Sequence, residues 1–190
     1  MEIFRRGWQQ RSNTAIPTSE PDEHKSAVIR FTSGAKGAWN RELNRELRPN
    51  SRYVDDRTGY TYDTDGEGLV VSSSGTLAGE AGDRNDYQQR VAGEPYRLSS
   101  DDGGHLIATI FRGPGERINL VPMNYNLNRG VWKSMENTWA EALRRGSTVD
   151  VKVDIAYEAG SRRPTRFDIT YQIDDENPET EMFKNSRGGR

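Results

Sequence analysis

One long stretch of this chain carries apolar residues at helical spacing; most of the rest alternates as strands do. Over residues 129–145, Trp132, Met135, Trp139 and Leu143 recur at intervals of three and four. That is the stripe of a helix packed on a core, and Gly146 marks its end. Beyond it, residues 149–155 and 167–171 alternate apolar and polar positions, which predicts two strands joined through Gly160 and Pro164. Upstream, Tyr60 and Tyr62 flank a threonine, Asp65-Gly66 has turn chemistry, and Leu69-Val70-Val71 follows, a hairpin pattern. A short strand is expected over 27–31. A short helix is expected over 38–47, where Trp39, Leu43 and Leu47 share a face until Pro49-Asn50. Residues 75–100 read as loop with a helix near 85–90. The apolar run 106–111 is β-prone, Gly113-Pro114-Gly115 breaks it, and 118–121 is a further apolar run. Strands, one long helix, then strands predict an α+β fold with a mainly antiparallel sheet.

Composition narrows the class. At 190 residues, with 32% hydrophobic residues, 29% charged residues and 19 glycines, the chain fits one main domain rich in turns. Residues 1–26 show no periodicity and read as an arm or linker. The absence of cysteine excludes a disulfide scaffold and a thiolate zinc site. No apolar run approaches the ~20 residues of a membrane span. The first eight residues lack the apolar core of a secretory signal, so export would need another route or a larger parent chain. A net charge of -2 argues mildly against nucleic-acid binding, but between His105 and Arg166 ten cations face six anions, leaving +4.

The candidate chemistry centres on Asp101-Asp102-Gly103-Gly104-His105, read as a tight glycine turn ending in an imidazole. An amide-rich segment follows, with Asn119, Asn124, Asn126 and Asn128 ahead of the long helix and Glu136 within it. A neutral histidine can take a proton from water while a hard metal ion held by asparagine carries phosphodiester charge. Each residue also has a plain structural reading. His105 would be an incidental histidine and Asp101-Asp102-Gly103-Gly104 a surface turn. Asn128 would be a helix N-cap, Glu136 a solvated helix residue, and Asn119, Asn124 and Asn126 polar turn residues. Trp132 and Trp139 belong to the packed stripe. Arg84, Arg90, Arg97, Arg112, Arg117 and Arg129 are candidate phosphate ligands or ordinary surface arginines.

Taken together, these residues resemble the DNA/RNA non-specific endonuclease family, with its ββα-metal (His-Me finger) core. The family signature is Asp-Arg-Gly-His, an Asn-x-x-Pro segment, Leu-Asn-x-x-x-Trp, and a Glu four residues past the Trp. It is matched in order by Asp102-Gly103-Gly104-His105, Asn119-Leu-Val-Pro122, Leu127-Asn128, Trp132 and Glu136. The chain is also similar to nuclease toxin domains at the C-termini of bacterial polymorphic and contact-dependent toxins. That likeness rests on Arg84-Asn85-Asp86-Tyr87-Gln88-Gln89, on residues 101–107 and 119–124, and on Lys133-x-Met135-Glu136-x-x-Trp139.

The resemblance implies an arm or linker with a short helix over 1–48, a nuclease domain over 49–185 and a flexible tail over 186–190. It implies His105 as general base and Mg²⁺, or Mn²⁺ in its place, held by Asn128 and reached by Glu136. Asp102 and Glu136 would orient metal-bound water. Arg84, Arg129 and Asn119 would contact substrate, with Arg84 or Arg129 replacing the family arginine that is Gly103 here. The implied partners are DNA, RNA or both, and a cognate immunity protein. The implied setting is a secreted toxin acting in the target-cell cytoplasm. Two other readings stand beside this one: a non-catalytic β-rich binding module derived from the family, favoured by Gly103 and the net negative charge, and a hydrolase of some other phosphodiester.

Overall fold

The computed structural model describes residues 27–190, so His24 and the arm expected over 1–26 lie outside the described residues. Along the chain run β1 (Ala27–Phe31), β2 (Ser51–Asp55), β3 (Thr61–Thr64), β4 (Val70–Thr76), α1 (Asp86–Val91), β5 (Asp101–His105) and β6 (Leu120–Asn124). Then come α2 (Tyr125–Leu127), a π-helical turn (Asn128–Trp132), α3 (Lys133–Arg144), β7 (Val149–Tyr157), β8 (Pro164–Ile173) and β9 (Glu179–Lys184). One seven-stranded sheet has the order β1-β2-β3-β4-β7-β8-β9, and β5 pairs with β6 in a separate two-stranded ribbon. Only β1 and β2 are parallel; every other pairing is antiparallel. The α+β architecture with one long helix is the expected one.

The alternation read over 149–155 buries Val149, Val151, Val153 and Ile155 on one face of β7, while Asp150, Lys152 and Asp154 remain partly exposed. The stripe of α3 meets this layer. Trp132 stands edge-on to Phe167 with ring centroids 5.2 Å apart, and Trp139 to Tyr171 at 5.5 Å. Such geometry adds about 1 kcal/mol per pair beyond burial.

Several local expectations change. The five residues Asp101–His105 are not a turn but strand β5, and the β-prone run after it holds only a 3-10 turn, Thr109–Phe111. The glycines serve close packing. A Cβ on Gly103 would collide with the Gln89 backbone of α1, and one on Gly104 would lie 2.8 Å from Met123 Cβ of β6. The long helix begins earlier, in α2, and is interrupted at Gly130, whose φ of -99° and ψ of -109° are not helical. Asn128 is therefore helical in φ and ψ rather than a cap. The cap is Asn124, whose Oδ1 accepts from the Asn126 N–H at 3.0 Å.

The helix expected over 38–47 shrinks to one 3-10 turn, Arg41–Asn44. Its segment is not a free linker. β1 pairs with β2, buried Glu116 accepts from the Gly34 and Asn40 N–H groups at 2.7 and 3.0 Å, and Asn44 accepts from the Arg117 N–H at 3.0 Å. The tail expected to be flexible over 186–190 also packs, with Gly189 buried against Leu127, Val131 and Phe183. Among the described residues, no helix is long and apolar enough to cross a membrane.

Candidate active site

The β5-β6 ribbon and the broken helix after it form a ββα unit, and a cavity of about 580 Å³ opens beside it. Asp102 and His105 reach it from β5, Asn128 and Arg129 from the π-helical turn, and Lys133 and Glu136 from α3. Arg84, Gln89 and Arg90 enter from the α1 side, and Arg97 from the loop before β5. Of the residues expected to form the site, the structure brings together His105, Asp102, Asn128, Glu136, Arg84 and Arg129.

Asn119 is not among them. It is fully buried; its Oδ1 accepts from the Ile107 N–H at 2.9 Å, and its amide donates to Ile107 O and Pro114 O at 2.8 and 2.9 Å. All its hydrogen-bonding reach goes to backbone groups of the β5-β6 connection, so it shapes the loop instead of touching substrate. Arg112 and Arg117 also lie away from the cavity, Arg112 against Glu80 at 3.1 Å and Arg117 half-buried near Arg162.

His105 is buried yet lines the cavity, and its Nε2 finds no hydrogen-bond partner among the described residues. Burial, and then the charge of Arg84, push its pKa down to about 4. The imidazole is therefore neutral at pH 7, the form a general base requires. Arg84 makes no ion pair or side-chain hydrogen bond among the described residues, while Arg97 is spent on the carbonyls of Gln89, Arg90 and Asp101. Arg129 grips Asp102 in a two-pronged pair, with both bonds at 2.7 Å. That pair, and then a bond from Asn128, hold the Asp102 carboxyl below the usual carboxylate range.

Asn128 donates its Nδ2 to Asp102 at 3.1 Å. The orientation fixes its Oδ1 as the free acceptor of the amide. Glu136 is buried; desolvation pushes its carboxyl up, opposed chiefly by Lys133, whose Nζ lies 3.3 Å from Oε2. Lys133 was not singled out as a site residue from the sequence. The available signal was spacing: Arg129, Lys133 and Glu136 fall at i, i+4 and i+7, a polar stripe beside the apolar one.

Among the described residues, no group of three or more His, Asp or Glu side chains could hold a metal. The donors that line the cavity include the oxygens of Asn128, Gln89 and Thr109 and of the carboxylates Asp102 and Glu136, beside the His105 imidazole. Oxygen donors of this kind suit a divalent ion that keeps several waters.

The sequence profile of the DNA/RNA non-specific endonuclease family matches residues 49–175. The type VII secretion system protein EssD of Staphylococcus aureus (strain USA300) is 37% identical over 139 residues, 70% of this chain. That stretch is only 22% of EssD, so the chain spans less than a quarter of that relative. The probable deoxyribonuclease RhsA of Dickeya dadantii (strain 3937) is 28% identical over 74 residues, 39% of this chain and 5% of RhsA. Among solved structures, Sda1 nuclease with bound zinc ion superposes with a TM-score of 0.50 at 15% identity, over 68% of this chain and 76% of that one. This last is a likeness of fold.

Proposed function

The chain belongs to the DNA/RNA non-specific endonuclease family, and on that premise we propose that it hydrolyses phosphodiester bonds in DNA, RNA or both, leaving 5′-phosphate ends. The observation that carries the reading is a neutral, buried His105 facing a cavity that also holds Arg84, Arg129, Lys133 and a set of oxygen donors. His105 accepts the proton of a water as that water's oxygen attacks phosphorus. The bond from phosphorus to the 3′ oxygen breaks, its electron pair stays on that oxygen, which takes a proton from solvent to become the 3′-hydroxyl, and the new 5′-phosphate departs. Arg84, which makes no ion pair or side-chain hydrogen bond among the described residues, clamps a non-bridging oxygen in place of the family arginine absent at Gly103. Arg129 is the second cation there, held in position by Asp102. Contacts confined to phosphate and sugar leave sequence unread.

Asn128 would hold Mg²⁺ or Mn²⁺, with Glu136 and Asp102 orienting its waters. A hard ion bound there supplies charge stabilisation for the transition state and the leaving oxygen. Sda1 nuclease carries zinc, but this cavity presents one histidine and no thiolate, a donor set better suited to magnesium.

The functional domain over 49–185 is read as the effector part of a larger secreted toxin. It would act in the target-cell cytoplasm and be neutralised at home by an immunity protein. The type VII secretion relative supports that setting.

The test is degradation of supercoiled plasmid and of structured RNA with Mg²⁺, Mn²⁺, Zn²⁺ or EDTA. Metal-dependent cleavage is expected, and Asn128→Ala should shift the Mg²⁺ midpoint upward. No cleavage of either polymer by folded wild type in any metal, or an unmoved midpoint in folded Asn128→Ala, contradicts the assignment.

A further inference from the structure

Resting on the nuclease reading above, we propose that the rim of the cavity binds unpaired nucleobases. Tyr87 and Tyr125 are stacking platforms that make single-stranded or locally unpaired nucleic acid the preferred substrate over paired duplex.

The argument starts from where apolar surface is left uncovered. Large side chains exposed to solvent include Tyr87, Tyr96, Leu98, Tyr125 and Val131, and each lies within four residues of a cavity-lining arginine or lysine. Only Val28 and Met182, among the exposed large hydrophobics described, lie elsewhere. Exposed apolar surface gathered at one place marks a contact site more often than scattered residues do. Tyr87 and Tyr125 are 59% and 44% exposed, too open to serve the core.

Each ring is paired with a cation that also lines the cavity. The Arg90 guanidinium sits 5.6 Å from the Tyr87 ring centroid, and that of Arg129 sits 5.8 Å from the Tyr125 centroid. A cation on one face steadies the ring and leaves the other for a partner. A positive charge beside an open π-face matches a nucleotide, whose phosphate seeks the first and whose base seeks the second. In a continuous duplex every base face is covered by its neighbours, so only edges reach the grooves. Recognition through faces therefore requires a strand whose bases can splay out.

The test measures binding of fluorescein-labelled single-stranded DNA and RNA oligonucleotides, and of a hairpin duplex of the same length, to His105→Ala protein in Mg²⁺. Tighter binding of the single strands is expected. Tyr87→Ala and Tyr125→Ala should each weaken it by about 5- to 150-fold, while Tyr87→Phe and Tyr125→Phe stay near the parent. In the cleaving protein, the two alanine variants should raise KM for single strands with little change in kcat. Equal affinity for duplex and single strand, or alanine variants that bind and cleave as the parent does, would overturn the proposal. If the parent still degrades plasmid in that case, only the stacking assignment fails, and the exposed rim becomes a surface for a protein partner. If folded wild type neither binds nor cleaves any nucleic acid, the nuclease reading fails with it.

Discussion

Asp101 and Asp102 are neighbours on one strand, yet they belong to two different regions of the molecule. Asp101 faces a closed brace. Its side chain is fully shielded, it takes two bonds from Arg163 at 2.8 Å, and it accepts from the Leu98 N–H. Arg163 also donates to Asn185 O, and the Asn185 amide in turn holds Asn124 N–H, Pro122 O and Pro164 O. Those groups ring the back of the ββα unit with their bonds made inside the protein. Asp102 faces the cavity. Among the described residues, His105 Nε2 has no hydrogen-bond partner and Arg84 makes no ion pair, while Glu136 is desolvated. Both regions are polar. Polarity alone does not mark a site; polar groups left for something outside the chain to satisfy do. Buried Glu116 Oε2 and Tyr62 Oη, also unpartnered, show that such an atom informs only where it meets a cavity.

The sharpest way to break this contrast is to remove each acid in turn. Asp101→Ala strands Arg163 in the interior and should destabilise the fold by about 3–5 kcal/mol. Asp102→Ala loses a pair whose arginine is 69% exposed, worth at most about 1 kcal/mol, yet it should lower cleavage. Urea denaturation beside a cleavage assay separates them. Equal destabilisation by the two would erase the distinction between brace and site.

A pH series sharpens the cavity side. Above pH 6.5 His105 is neutral in both folded and unfolded chains. As pH falls from 6.5 toward about 4, the unfolded chain takes up the proton and the folded one does not, so stability is lost across that window and levels off below it. The loss amounts to about 3 kcal/mol. In EDTA, the stability difference between wild type and His105→Ala should change by that amount between pH 7 and pH 4; a constant difference would show an imidazole that titrates normally.

The third effect is smaller and concerns the missing arginine. Gly103→Arg restores the family pattern but drives a Cβ into the Gln89 backbone. It should cost about 1–3 kcal/mol by overpacking and not raise activity. A melting temperature held or raised, with faster cleavage, would show that α1 can yield.

These contrasts also explain what was legible beforehand. The apolar stripe of α3 and the alternation in β7 and β8 were readable because burial on one face imposes a period. Strand β5 was not, since Asp101-Asp102-Gly103-Gly104-His105 has no apolar alternation. It is a strand because β6 pairs with it and α1 presses on Gly103, both tertiary facts. Asn119 and Asn128 look alike in sequence. One amide closes a loop and the other opens on the cavity, and only three-dimensional placement tells them apart. Arg84 and His105 meet across a gap of loop and helix that no local spacing records. Tyr87 and Tyr125 carried no periodic signal at all.

The most direct test of the central claim is the single-turnover cleavage rate of His105→Ala against wild type at pH 7 in saturating Mg²⁺, with melting curves to confirm both are folded. Loss of the general base should slow cleavage by about 10²- to 10⁴-fold with the fold intact. A folded His105→Ala protein that keeps a tenth or more of the wild-type rate would contradict the assignment of His105 and, with it, the account of the cavity as a nuclease centre.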